Sequence, residues 1–409
     1  MNILYIEHYA GSPEMGMEFR PYYLSREWVK MGHHVRIVAG DYSHLRIRNP
    51  QVIDDFQEEN IDGVSYHWIK TGSYQGNGIS RALTMFRFVR KLRQKAKWIA
   101  KNWKPDVIIT SSTYPLDTYA GQKIKRYTKR ADGKNAVLIH EVHDMWPITL
   151  IELGGMKKSN PFVMLMQLGE NSFCKHSDYV VSLPCAAKEY FIEHGMSPEK
   201  FKVIMNGIVL EEWENPVALP QEHVQLLKML HEEKKFIICF FGSITASYAI
   251  DYLIQAKEKL NNDKVAIVIV GEGNQKEELK NLAGEGVFFL PKITKKAIPT
   301  LMENIDCCYV GALRNDMFRF GICMNKLFDS MMSGKPILYA VEAPNNFIRD
   351  YDCGISVEAE SVDSLASGIN KMMQLSDDER SRMGRNGRKA VLENYCYEKL
   401  ASQFAELFV

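Results

Sequence analysis

Runs of uninterrupted apolar residues recur along the chain, and stretches of helical periodicity separate them. In the first half, residues 2–7, 34–39, 64–69, 105–110, 136–142 and 177–182 read as strands. In the second half, 236–241, 265–270, 306–310, 337–340 and 354–357 read as strands, and 287–293 as a strand plus loop. Apolar positions at helical spacing predict helices over 17–31, 115–130, 184–194, 248–260, 295–304, 361–373 and 376–393. Strands that are apolar at consecutive positions, rather than alternating ones, belong to parallel sheets covered on both faces. The repeated strand–loop–helix order is that of an α/β protein.

The pattern is interrupted after Asn206-Gly207-Ile208-Val209, where 210–235 carries Pro216 and Pro220 and reads as a linker with a short helix. A chain of 409 residues is also too long for one ordinary domain. The expected division is a domain at 1–209, a linker at 210–235, a second domain at 236–390 and an amphipathic closing segment at 391–409.

One stretch is unusual in charge. Residues 81–104 hold many Lys and Arg and no acid, while Leu83, Phe86, Val89, Leu92, Ala96, Ile99 and Trp103 recur at helical spacing. One face should dock on a sheet; the basic face is either simply solvated or lies against an anionic membrane surface. The apolar run 161–166 reads as core helix, with a contact to an acceptor or a membrane as the alternative. Elsewhere the balance is ordinary: a formal net charge of +1 gives no reason to expect nucleic-acid binding. The eight cysteines form no C-x-x-C pattern, so neither a disulfide frame nor a zinc site is expected. A reduced, cytoplasmic setting is expected, with peripheral attachment to the inner face of the cytoplasmic membrane left open.

Candidate chemistry gathers at the ends of predicted strands. Between Phe318 and Ala340 a glycine-bearing loop, Gly321-Ile322-Cys323-Met324, leads into a short helix opening at Asn325-Lys326 and ended by Gly334 and Pro336. A helix amino end offers free N–H groups and partial positive charge, which suit a phosphate. Lys326 adds a full cation, and Asp329, one turn on, has the chemistry to accept hydrogen bonds from a ribose diol. The same letters also suit a plain buried amphipathic helix. The loop 8–16 carries Gly11 and Gly16 after the first strand, at a spacing that is not the dinucleotide fingerprint. His143 and Asp144 follow the strand 136–142 and have the chemistry to bind sugar hydroxyls or stabilise developing charge.

The run N-K-L-F-D-S-M-M-S-G-K-P-I-L, residues 325–338, resembles the nucleotide-diphosphate segment of the family-four glycosyltransferases of the GT-B superfamily. It is most similar to the branch found in bacterial O-antigen and capsule biosynthesis. H-D-M-W-P at 143–147 resembles that family's strand-end motif facing the transferred sugar, with Asp144 the stronger match. Asn206-Gly207 resembles its hinge, the loop with Gly11 and Gly16 its N-terminal glycine loop, and Gly271-Glu272-Gly273 its turn near the nucleoside. The resemblance implies that Lys292 and Ile293 meet the base through their main chain, and that the loop with Gly242 and Ser243 lies at the donor diphosphate. Two departures stand out. That loop lacks the family's usual Arg and Lys, which moves the cationic role to Lys326. The usual Glu, seven residues, Glu signature falls on Gly321 and Asp329, so backbone N–H groups of 321–325 are the expected substitute for the first Glu.

What the resemblance implies is a GT-B architecture, two Rossmann-like parallel-sheet domains facing across a cleft, with the closing helices crossing back to the first. It further implies a retaining transferase of hexosyl or N-acetylhexosaminyl type. The donor would be a nucleotide-sugar, most simply a UDP-sugar, held by the second domain. The acceptor would be a polyprenyl-diphosphate-linked sugar held by the first. No cofactor and, absent any Asp-x-Asp, no metal are expected. The rival readings are a nucleotide-sugar epimerase or isomerase on the same plan, and a nucleotide-binding assembly subunit without catalysis.

Overall fold

The apolar runs become the strands of two sheets, each in its own unit. The computed structural model describes residues 1–16, 19–76 and 78–409. The first unit is Met1–Met205 with Tyr397–Val409, and the second is Asn206–Cys396. Residues 210–235, read from the sequence as a linker, lie in the second unit and form the helices Leu210–Glu214 and Gln221–Glu232.

In the first unit the strands are β1 (Asn2–Ile6), β2 (His34–Gly40), β3 (Gln57–Ile61), β4 (Val64–Ile69), β5 (Val107–Thr110), β6 (Val137–Val142), β7 (Tyr179–Ser182) and β8 (Phe201–Val203). Their order across the sheet is β3-β4-β2-β1-β5-β6-β7-β8. The β3–β4 pair is antiparallel, and the other pairs in this sheet are parallel among the described residues. Strand β3 escapes the sequence reading because Gln-Glu-Glu-Asn-Ile is polar, as a sheet edge half exposed to water tolerates. The first helix spans Phe19–Lys30; its predicted start at Met17 lies outside the described residues.

The basic helix spans Ile79–Asn102 and buries Met85, Phe88, Val89, Leu92, Ala96 and Ile99 in one core with Leu4, Ile6 and Ile108 of the sheet. Leu83 and Phe86, predicted on the docking face, are instead 46% and 37% exposed. The buried stripe runs through Met85 and Phe88, and Leu83 and Phe86 fall beside it. Together with Ile79, which is 81% exposed, they sit at i, i+4 and i+7 and make an outward apolar stripe. The chain's end completes this unit: helix Tyr397–Ala405 buries Leu400, Ala401 and Phe404. Trp28 is fully buried against Phe404 and Phe408, with ring centroids 5.2 and 5.3 Å away, and donates its indole N–H to the Ala401 carbonyl at 3.0 Å. Fully burying such apolar side chains stabilises by roughly 1.5–3 kcal/mol each.

The second unit holds β9 (Phe236–Phe241), β10 (Val265–Val270), β11 (Val287–Leu290), β12 (Cys307–Gly311), β13 (Ile337–Ala340) and β14 (Gly354–Ser356). Their order is β11-β10-β9-β12-β13-β14, all parallel. Helices Ile250–Leu260 and Val362–Gln374 cover one core, where Leu253, Ile254, Leu365, Ile369 and Met372 pack with Ile238, Phe240 and Ile267. Among the described residues no helix is long and apolar enough to cross a membrane. No disulfide joins the eight cysteines.

Candidate functional site

The loops following β9, β10 and β11 converge at the carboxyl ends of those strands, where α/β sheets collect ligands. A cavity of about 370 Å³ opens there, lined by Phe241, Gly242, Ser243, Val270, Gly271, Glu272, Lys292, Ile293 and Ile298. Five residues singled out from the sequence therefore share one wall: Gly242, Ser243, Gly271, Lys292 and Ile293. The two turns interlock at backbone distance. A Cβ on Gly271 would stand 1.9 Å from the Gly242 carbonyl oxygen, and one on Gly273 2.0 Å from that of Ile244. Only glycine permits that approach. Lys276 clamps the turn from below, donating to the Gly271 carbonyl at 2.9 Å and to Glu272 Oε1 at 2.8 Å.

Lys326 stands beside this cavity. Its Nζ would lie 3.3 Å from a Cβ built on Gly242. The helix that carries it spans Asn325–Met332, with Met324 as an N-cap that makes no side-chain capping bond. Nζ is buried without a hydrogen-bond partner, 3.2 Å from the ring centroid of Tyr248 and 4.1 Å from that of Phe240. Burial pushes its amine down to about 7. Asp329, one turn on, is 7% exposed. Burial raises its carboxyl to about 6, opposed by Lys295, assisted by Glu212 and opposed again by a hydrogen bond from the Trp213 side chain.

The approach loop corrects one expectation. The Gly321 N–H donates to the Phe318 carbonyl at 2.9 Å, and the Ile322 N–H to Asn345 Oδ1 at 2.9 Å. Asn345 also donates to the Ile322 carbonyl at 2.8 Å, so both polar groups of Ile322 are engaged. Gly321 and Ile322 therefore do not supply free N–H groups to a ligand. Their bonds shape the loop that delivers Met324 and Asn325 to the helix start.

In the first unit, His143 and Asp144 follow β6 as expected, and His143 is met by Glu141 of β6 itself and by Ser111, just after β5. His143 Nε2 lies 2.8 Å from Ser111 Oγ and 3.1 Å from Glu141 Oε2. Glu141 is fully buried; Tyr5 donates its hydroxyl to it, Ser111 donates at 2.6 Å, and Arg20 Nε donates at 3.0 Å. Burial alone would raise the Glu141 carboxyl, but Arg20 and His143 hold it well below the usual range. Arg20 also donates to the carbonyls of Met205 and Ile204 at 2.6 and 2.9 Å. Asp144 is exposed. The loop 8–16 is pinned: the Gly11 carbonyl accepts from the Tyr66 hydroxyl at 2.7 Å, and Gly16, at φ +81°, closes the turn Pro13–Met15.

Sequence reasoning missed Tyr248, Lys276, Arg20 and Glu141. A glutamate inside the fully buried strand Val-Leu-Ile-His-Glu-Val was the available signal, since a buried carboxylate demands partners. No group of three or more His, Cys, Asp or Glu among the described residues could hold a metal ion.

Residues 15–212 match Glycosyltransferase Family 4, and residues 226–390 match Glycosyl transferases group 1. Two uncharacterised glycosyltransferases of Methanocaldococcus jannaschii are similar. One is 24% identical over 57% of this chain and 59% of its own length, the other 27% identical over 94% and 92%. An Escherichia coli protein named for colanic acid biosynthesis is 23% identical over 67% of this chain and 68% of its own. Among solved structures, sucrose-phosphate synthase from Thermosynechococcus elongatus superposes with a TM-score of 0.70 at 15% identity, covering 99% of this chain and 98% of that one. HepE of Anabaena, in complex with UDP and glucose, does so with 0.64 at 16%, covering 99% and 98%. The chain is a glycosyltransferase with the GT-B fold, built of a family 4 domain followed by a group 1 domain.

Proposed function

We propose that the protein is a retaining glycosyltransferase that takes a sugar from a UDP-sugar and passes it to a hydroxyl of a lipid-linked saccharide in surface-polysaccharide assembly. The observation that carries this reading is Lys326: a buried ammonium without a hydrogen-bond partner, beside a cavity at the strand ends. A diphosphate there would take up the N–H donors that no protein group uses, and the uncapped helix start would add its partial positive charge. Stabilising the departing diphosphate and aligning the acceptor would be the main catalytic contributions. His143, steadied by Glu141 and Ser111, and Asp144 would meet the transferred sugar. The bound UDP of HepE supports the choice of nucleotide. The role named for the Escherichia coli relative supports the choice of pathway class.

The deciding incubation supplies UDP-sugars with and without a polyprenyl-diphosphate-linked monosaccharide. Release of UDP and glycosylation only when both are present is the expected result. Conversion of donor alone would make the protein an isomerase or epimerase, and UDP binding without turnover a noncatalytic subunit.

Lipid-linked acceptors lie at a membrane, and the helix Ile79–Asn102 supports an approach to one. Its exposed Ile79, Leu83 and Phe86 adjoin exposed Arg87 and Arg90 on the same outward surface. Co-sedimentation should be strong with anionic phosphatidylglycerol vesicles, weak with neutral phosphatidylcholine, and reduced by salt, since each nearby basic residue contributes about 1 kcal/mol. Binding indifferent to lipid charge and to salt would remove the membrane from the proposal.

A further inference from the structure

The loop after β9 holds Tyr248 with unusual firmness. Tyr248 ends the turn Ala246–Tyr248, and Ala249 follows in the left-handed region at φ +50°. A non-glycine residue stays there only when its surroundings fix it. The fixings are visible: the Ala249 carbonyl accepts from the Tyr309 hydroxyl at 2.9 Å, the Ser247 carbonyl from the Leu313 N–H at 3.0 Å, and the Ile244 N–H donates to the Glu272 carbonyl at 2.8 Å. The result places one ring face directly over Lys326 Nζ, at 3.2 Å from centroid to nitrogen, with Phe240 behind at 4.1 Å. An aromatic face carries negative charge density and attracts an ammonium, most strongly when water is excluded. No carboxylate pairs with Lys326 among the described residues, so the two rings are what meets its charge.

We infer that Tyr248 is the positioning residue for Lys326: its ring face holds the ammonium beside Gly242, next to the cavity, until an anionic ligand takes over. The inference rests on the reading of Lys326 as the cation that meets the donor diphosphate. It explains how a loop carrying only Ser and Thr hydroxyls, in place of an Arg and a Lys, still serves that site. The hydroxyl of Tyr248 plays no part; the ring does.

The test is UDP titration calorimetry on the full chain between pH 6 and 8.5, with wild type, Tyr248→Phe and Tyr248→Leu. Tyr248→Phe keeps the ring and should bind UDP within twofold of wild type at every pH. Tyr248→Leu keeps the apolar cover but loses the face, and should bind about tenfold more weakly. Its loss should be larger at pH 8 than at pH 6, because the ammonium is less favoured without the ring. A second readout needs no variant: the Lys326 ε-methylene protons of the wild type should resonate upfield from ring current and move downfield when UDP is added. Wild type that binds UDP while Tyr248→Leu matches it in affinity and pH dependence, or an unshifted Lys326 resonance, would overturn the inference and leave the donor-site reading standing. Wild type that does not bind UDP at all would overturn both.

Discussion

Replacing Lys326 with methionine is expected to lower turnover about 100-fold, the scale of losing one preorganised stabilising group, while raising thermodynamic stability. The two effects share one cause. The ammonium is buried without a hydrogen-bond partner, and burial brings its pKa down to about 7 from the ordinary 10.5. A group lowered on folding binds fewer protons folded than unfolded between those values, so stability rises with pH across that window. Below pH 7 the full penalty applies. Above 10.5 it is gone. Methionine fills similar space without a charge, so the variant should gain on the order of a few kcal/mol near neutral pH. Its urea-unfolding free energy should also lose most of the wild type's rise between pH 7 and 10. UDP affinity follows the other side of the same titration: a diphosphate prefers the protonated amine, so wild-type affinity should fall as pH rises through about 7, and the variant's should be flat there. A methionine variant that turns over normally would remove Lys326 from the mechanism. One that is destabilised at every pH would show that the ammonium has a partner when folded.

The second large effect lies in the first unit. Removing either Arg20 or Glu141 leaves its partner charged and buried, which destabilises by about 3–5 kcal/mol. Arg20→Ala is expected at the upper end, because it also frees the carbonyls of Ile204 and Met205 that the guanidinium satisfies at 2.9 and 2.6 Å. Glu141→Ala removes the acceptor for Tyr5 and Ser111 and the carboxylate beside His143. Turnover should fall with stability in Glu141→Ala, since His143 loses the carboxylate that orients it. The paired change Arg20→Met with Glu141→Gln leaves no lone charge and should recover part of the loss. A double-mutant cycle by urea unfolding should therefore be strongly non-additive. Additive losses would mean that the two groups do not depend on one another.

Much of this was readable from the residues. Uninterrupted apolar runs such as Phe236–Phe241 and Val265–Val270 admit little but buried parallel strands, and both are strands as read. The glycines at 242, 271 and 273 read as strand-end turns from their place after apolar runs and from the family resemblance, and at 271 and 273 the close backbone approach explains them. What the sequence could not show depends on contacts distant in the chain. Arg20 meets Glu141 across 121 positions, and no local pattern announces that pairing. Tyr248 and Lys326 lie far apart in sequence and meet only because β9 ends and the helix Asn325–Met332 begins at the same side of one sheet. The polar strand Gln57–Ile61 was hidden by its edge position. Leu83 and Phe86 were misread as docking residues because a helix with two apolar stripes gives one periodicity and two possible faces.

The central claim is that a donor diphosphate is received beside Lys326. The most direct measurement is a crystal structure with UDP bound. Phosphate oxygens within hydrogen-bond distance of Lys326 Nζ, with the nucleoside in the cavity lined by Gly271, Lys292 and Ile293, are expected. UDP bound elsewhere, with Lys326 still enclosed between Tyr248 and Phe240, would contradict the account.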